Sequence, residues 1–363
     1  MDGEMNTYLN EFYKANARTD YSQAHTLASA MKIADSLIGK IRNEDSRYHA
    51  DMVSVGSMGA HVPSVNFSEC DVLYPVSIDG FIEQTDNPEY VKFKLSESAK
   101  AVWSDCTDQN GYLDPQLFSC TFYSLVEQCL QSTVDSKTRV NLTGRGTVAA
   151  TIEFLCPFVG VSVDVVVTVR CKVWPHWAKP EWFKDSERVW PKKGSIEAIE
   201  HRGIELVANH FGQEKGVWRL SFSFAETRLL DDCRALLPAF RKLLIIFKAL
   251  RILHMVKPSV GDASEMFKSY HFKVLMLHEA VEFPDSDQWS EDKLSERFLS
   301  VIEKLKRCIQ EKHLKHLFLP TVNLFNYPAP AFLLQHELLR GDPIAFMEKV
   351  RTKKKKNKNN YFY

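Results

Sequence analysis

The chain has 363 residues, enough for one large or two medium domains with cores of their own. Lys plus Arg (46) equals Asp plus Glu (46), so net charge decides nothing about a nucleic-acid partner; only the placement of charge can. With 45% hydrophobic residues, and with no apolar run of the ~18 residues that would span a bilayer, the composition reads as an ordinary globular chain rather than a disordered or membrane-spanning one.

The opening MDGEMNTYLNEFYK is polar and acidic, without the basic end and apolar core of a signal peptide. The eight cysteines form no CxxC pair and lie in apolar segments. They read as reduced, buried thiols, and the expected location is cytoplasmic. The sequons at Asn66 and Asn141 are then expected to carry no glycan.

Residues 20–50 predict a long helix. Ala24, Leu27, Ala28, Met31, Leu37, Ile38 and Ile41 follow helical spacing, with Asp20 or Ser22 as cap. Its other face carries Lys32, Lys40, Arg42 and Arg47, which taken alone could simply be a solvated face. A short strand over 52–55 runs into Gly56-Ser57, and a second spans roughly 68–76. A helix is expected over 114–132, and 152–173, dense in β-branched residues, predicts one or two central strands. The Trp- and Pro-rich stretch 174–195 is too broken for one helix and reads as a loop that packs its aromatics on the body while crossing between lobes. Beyond about 197 the chain is mostly helical. Segments 230–255 and 290–317 are amphipathic, the second with Leu294, Phe298, Val301, Leu305 and Cys308 on its buried face. RTKKKKNKNN near the end has no apolar residue and is expected to be disordered.

The chemistry concentrates in three acids. Glu69-Cys70-Asp71 lies in the second strand, where alternate residues share a face, so its two carboxylates point the same way ~7 Å apart. Asp164 stands in VSVDVVVTV with no Lys or Arg within five residues on either side. A lone carboxylate there costs several kcal/mol unless it is paired or bound to metal. Three oxygen donors on adjacent strands suit Mg²⁺ or Mn²⁺, and two such ions could bridge a triphosphate for in-line transfer. Gly56 would let the backbone approach phosphates and Ser57 could hold them, although a plain turn would explain the pair as well.

The stretches Gly56-Ser57-Met58-Gly59-Ala60-His61-Val62, Glu69-x-Asp71-Val72, Val163-Asp164-Val165 and Trp218-Arg219-Leu220-Ser221-Phe222-Ser223 occur in that order. They are followed by Cys233-Arg234, Ser269-Tyr270-His271-x-Lys273 and Phe318-Leu319-Pro320-x-x-Asn323-Leu324-Phe325. Together they resemble the animal nucleotidyltransferase family of cyclic GMP-AMP synthase, the cGAS-like receptors and the male-abnormal proteins, over roughly residues 20–340. The resemblance implies an α+β, bilobal nucleotidyltransferase. A mixed twisted sheet with a long spine helix would fill 1–205, a mainly helical lobe 206–345, and a basic tail 346–363.

It further implies that Glu69, Asp71 and Asp164 bind two Mg²⁺ or Mn²⁺ ions and that Gly56 and Ser57 hold phosphates. Arg219 would contact a base edge, Ser221 and Ser223 the nucleotide, and Glu226 the sugar or base. Lys242 and Ser269 would grip the triphosphate, and Tyr270 would stack on a base. Only about nine residues separate Ser223 from Cys233, with no His and no second Cys, so no zinc insertion is expected. Asn209 and Val166 replace a Lys and a Thr of the vertebrate DNA sensor, which leaves the bases of the product open. His313 and His316 read as surface or core residues.

The implied activity is cyclic dinucleotide synthesis from two NTPs (ATP, GTP or another), with pyrophosphate released, in innate immunity. Double-stranded RNA is the expected activator in preference to DNA, with a ligand-induced oligomer allowed. The candidate phosphate contacts are Lys32, Lys40, Arg42, Arg47, Lys192 and Lys193, with Arg202 and the Lys353–Lys358 tail beside them. The competing reading is a catalytically silent male-abnormal-type scaffold. A tailing polymerase is disfavoured by the Trp218–Ser223 and Ser269–Lys273 segments.

Overall fold

The structure is a computed structural model that describes residues 2–17, 21–56, 69–133, 140–155, 160–185, 187–208, 215–255, 266–325 and 330–359. Asp20, Ser57, Asn66 and Asn209 lie outside these residues, as do the side chains of the Lys353–Lys358 run.

Among the described residues nine strands form one mixed sheet: β1 (Val53–Ser54), β2 (Glu69–Ser77), β3 (Gly80–Gln84), β4 (Tyr90–Leu95), β5 (Val140–Thr143), β6 (Ala150–Leu155), β7 (Gly160–Cys171), β8 (Ile204–Ala208) and β9 (Trp218–Ser221). The path runs β1-β2-β7-β8-β9-β4-β3, with the β5–β6 hairpin added on β7. β2 and β7 pair in parallel along their length, and the first half of β7 takes β6 while its end takes β8. β7 therefore has partners at both edges, and its valines at 161, 163, 165, 167 and 169 alternate onto the core face. The stretch 152–173 thus resolves into two strands, β6 and β7.

The spine helix, Tyr21–Glu44, buries Leu27, Ala30, Ala34, Leu37, Ile38 and Ile41 and packs on the Pro115–Thr133 helix and on β7. It is shorter than expected. Asp45 accepts a hydrogen bond from Arg47 N (3.0 Å) and starts a separate turn, Ser46–Tyr48, whose Tyr48 is fully buried. Cys70, Val72, Tyr74 and Val76 of β2 and Val163, Val165, Val167 and Val169 of β7 are buried in the core cluster to which the spine contributes. The alternate positions, including Glu69, Asp71 and Asp164, are left to the opposite face.

The Trp- and Pro-rich segment packs its aromatics as expected. Trp174 and Trp190 are buried, and Trp174 lies 5.6 Å from Phe222 and 5.7 Å from Phe318, which stack on each other at 4.7 Å. The sheet end and the later helices thus share one aromatic cluster. The amphipathic stretch 230–255 is two helices, Ser223–Leu236 and Pro238–Leu250, because Pro238 cannot continue the first and suits the first turn of the second. Helices Ser269–Glu282 and Leu294–Gln310 complete this part, the latter burying Leu294, Phe298, Val301 and Leu305.

Two further helices depart from the sequence reading. Asp2–Asn16 is helical and buries Met5, Tyr8, Leu9 and Phe12. It packs on Pro238–Leu250, Leu294–Gln310 and the C-terminal helix, so the first residues join the later helices rather than the sheet. Pro343–Asn359 is helical through the lysine run where disorder is expected. Phe346, Met347 and Val350 anchor it, and lysine does not stop a helix once begun.

Candidate functional site

The parallel β2–β7 register sets Asp71 directly opposite Asp164, with Glu69 two residues earlier on the same face. Each of the three acids offers an oxygen, and these atoms lie within 4.8 Å of one another. Glu69 and Asp71 reach solvent while Asp164 is half-buried. Partial burial, a hydrogen bond with Asp164 and the charges of Asp164 and Asp71 push the Glu69 carboxyl up to about 7. Burial, then Asp164, also raises Asp71, against the pull of Lys273 and Lys248. Asp164 Oδ1 is buried with no hydrogen-bond partner among the described residues. Clustered carboxylates with an orphaned oxygen and an all-oxygen donor set fit a hard divalent cation such as Mg²⁺ or Mn²⁺. This is the only such grouping of three or more His, Cys, Asp or Glu among the described residues.

Gly56 closes over the acids. Its φ is +65°, and a Cβ built on it would stand 2.5 Å from Asp71 Oδ2. Backbone conformation and the nearby carboxylate both favour glycine.

Two lysines that carry no role in the sequence reading face this group. Lys248, on the Pro238–Leu250 helix, is 7% exposed; burial and then the like charge of Lys273 lower it to about 8, partly offset by Asp71. Lys273, on the Ser269–Glu282 helix, is ion-paired with Glu226. Glu226 also accepts a 2.8 Å hydrogen bond from Tyr270 Oη, and Lys273 Nζ sits 4.6 Å from the centre of the Tyr270 ring. Both oxygens of Glu226, expected on a sugar or base, are thus already engaged within the chain.

Lys242 is elsewhere engaged. Its ammonium binds Glu291 and Asn10 (2.9 Å) and lies 5.6 Å over Tyr13. Lys242 and Lys248 are six residues apart, not a whole number of turns, so one helix presents them to different neighbours. The family resemblance gives the triphosphate role to Lys242, which the fold sets beside the first helix.

Arg219 is exposed between buried Trp218 and Leu220 on β9, opposite Tyr90 and Val207. Its charge acts on Glu89 and on Tyr270. Ser221 Oγ donates to Ser223 Oγ at 3.3 Å, and Ser269 opens its helix. The Ser223–Leu236 helix runs without interruption past Cys233.

The candidate nucleic-acid contacts divide. Lys32, Lys192 and Lys193 are exposed, Lys193 facing Glu197 at 3.9 Å. Arg42 pairs with Asp51 (2.7 Å), and Lys40 bonds Ser132. Arg47 is held by Asp45 (2.8 Å) and Asp105 (2.6 Å) and lies 4.9 Å over Trp103. Arg202 pairs with the buried Glu205 at 3.0 Å. These arginines already serve carboxylates of their own chain.

The sheet with its acids and the helices with their lysines correspond to two recognised domains. The Mab-21 protein nucleotidyltransferase domain matches residues 68–232, and the Mab-21 protein HhH/H2TH-like domain matches residues 240–335. In both parts the chain is similar to Mab-21 proteins. Among its relatives is the Protein mab-21-like of Drosophila melanogaster, 24% identical over 355 residues, which spans 92% of this chain and 90% of that protein. The fold expected from the sequence, a mixed sheet followed by a helical part, is the family's.

Proposed function

We propose that this protein is an active nucleotidyltransferase that joins two NTPs into a cyclic dinucleotide, releasing pyrophosphate at each step. The observation that carries the reading is the acid group: three carboxylates within 4.8 Å, one with an orphaned buried oxygen, under a glycine whose Cβ would stand 2.5 Å from Asp71 Oδ2. A chain with no nucleotide to process has no use for that repulsion.

Glu69, Asp71 and Asp164 would hold two divalent ions, which would screen phosphate charge and lower the pKa of the attacking hydroxyl. Gly56 leaves room for phosphate oxygens beside Asp71, with Ser57 next in the chain. Lys248 and Lys273 stand opposite the acids and suit the β- and γ-phosphates of an NTP, the role the resemblance gives to Lys242 and Ser269. Ser269 joins them through the first-turn N–H groups of its helix. The base would lie between Arg219, whose guanidinium suits bidentate contact, and the Tyr270 ring, near Ser221 and Ser223.

Activation by double-stranded RNA in the cytoplasm, within innate immunity, completes the proposal. It rests on the family resemblance and on exposed Lys32, Lys192 and Lys193, with the arginines contributing less than their sequence positions suggest. The full-length similarity to a mab-21-like protein favours a second reading, a silent scaffold of the same fold.

The test incubates the purified chain with labelled ATP, GTP, CTP and UTP, Mn²⁺ or Mg²⁺, and duplex RNA or DNA. A product that requires duplex RNA and disappears in Asp164→Asn supports the proposal. No product under any ligand, with Mn²⁺ still bound at the acids, would favour the scaffold.

A further inference from the structure

Glu226 is 3% exposed and lies in the first turn of the Ser223–Leu236 helix, close behind the β9 residues Arg219 and Ser221. One carboxylate oxygen takes the Tyr270 hydroxyl at 2.8 Å and the other takes the Lys273 ammonium. Tyr270 and Lys273 stand three apart on the Ser269–Glu282 helix, on one side, and the ammonium lies 4.6 Å from the ring centre. Arg219 acts on Tyr270 from the β9 side, and the charge of Lys273 reaches Asp71. Phe222 and His316, 5.0 Å apart, adjoin the same group, and the Glu226 charge acts on His316. One buried carboxylate therefore fixes both an aromatic ring on which Arg219 acts and a cation whose charge reaches Asp71.

We propose that Glu226 is a positioning residue: a two-armed clamp that sets the Tyr270 ring for a nucleobase and the Lys273 ammonium for phosphate, acting through them rather than by binding the sugar itself. The inference rests on the nucleotide-site reading above. A buried carboxylate with two charged or hydroxyl partners is costly to disturb, so the pair is held in one geometry before any nucleotide arrives. The ring can rotate only by giving up its bond to Oε1. The ammonium can leave only by stranding a buried charge. Base discrimination and phosphate affinity should therefore depend jointly on a residue that touches neither ligand group.

The test is calorimetric titration of the full chain with α,β-methylene analogues of ATP and CTP in Mg²⁺, with Mn²⁺ affinity as a separate measure of the acid site. Glu226→Gln keeps the shape and an acceptor for Tyr270 but cannot neutralise Lys273. It should bind the ATP analogue about tenfold more weakly, the effect expected for loss of one charge-assisted bond. It should also narrow the ratio between the two analogues, with Mn²⁺ affinity unchanged. Adding Lys273→Met to Glu226→Gln should cost less than Lys273→Met costs in the wild type. Unchanged affinity and ratio in Glu226→Gln, or effects that simply add, would overturn the clamp. If the wild type itself binds neither analogue, the nucleotide-site reading fails and the clamp fails with it. Should Glu226→Gln not fold, Tyr270→Phe and Lys273→Met replace it. Non-additive losses in their double variant support the clamp, and additive losses overturn it.

Discussion

At the scale of single residues the site is a matter of charge placed where it is costly. Asp164 was legible in the sequence because no physical reason other than a partner puts a carboxylate among valines. Glu69 and Asp71 were legible from strand alternation. Gly56 was legible as a glycine but not as a necessity, which came only with its +65° φ and with a carboxylate oxygen 2.5 Å from where a Cβ would stand. Gly56→Ala should push Asp71 aside. We expect Mn²⁺ affinity to fall at least about tenfold, with ~1–2 kcal/mol lost in stability from the strained backbone. Calorimetry and thermal melts check both. The lysines were not legible, because Lys248 and Lys273 lie far along the chain from the acids and reach them only through folding. Lys248, lowered to about 8 by burial, pays for its charge at neutral pH. Lys248→Met should lower NTP affinity about tenfold. Lys242→Met should leave NTP affinity intact and lose less than ~1 kcal/mol, since its partner Glu291 is half exposed. The opposite ranking in binding would return the phosphate role to Lys242.

Among elements, strands and amphipathic helices were readable wherever apolar periodicity was strong: the spine, β2, β6, β7 and Leu294–Gln310. Their ends were not. Asp45 caps a new turn and Pro238 divides a continuous apolar pattern, and in both cases a local hydrogen-bond requirement outweighs periodicity. The Asp2–Asn16 helix went unread because its polar face dominates the composition, while its four buried residues follow the helical stripe. The packing of Ser269–Glu282 against Leu294–Gln310 includes a buried network in which Glu279, fully buried, takes Arg297 at 2.9 Å and also Lys304. Arg297 in turn lies 3.6 Å from the centre of the Phe283 ring. Arg297→Met leaves that carboxylate half-neutralised and should cost ~3–5 kcal/mol in chemical denaturation. A loss below ~1 kcal/mol would show that Lys304 alone satisfies Glu279.

For the whole molecule, two buried histidines tie stability to pH. Burial lowers His271 and His316 to about 4, well under the ordinary value of 6.5. Between those limits the unfolded chain binds protons that the folded chain does not, so this pair lowers stability as pH drops from about 6.5 towards 4. Glu69, raised to about 7, acts in the opposite sense over the same window, so the histidine contribution is read in Glu69→Gln, whose denaturation midpoints should decline from about pH 7 to about pH 4.5. A flat profile would mean that both rings charge freely in the native state. Fold class was legible throughout the chain because a sheet of β-branched runs followed by amphipathic helices leaves few arrangements. The joining of the two parts was not, since it depends on the Trp174, Phe222 and Phe318 cluster and on the Glu226 pairing, both assembled from distant segments. The central claim, that the acid group performs nucleotidyl transfer, is tested most directly by labelled NTPs with Mn²⁺ and a panel of duplex nucleic acids, wild type against Asp164→Asn. Wild type with duplex RNA should yield a cyclic nucleotide product, and Asp164→Asn none. The same product from both proteins, or none from a wild type that binds Mn²⁺ at the acids, would contradict it.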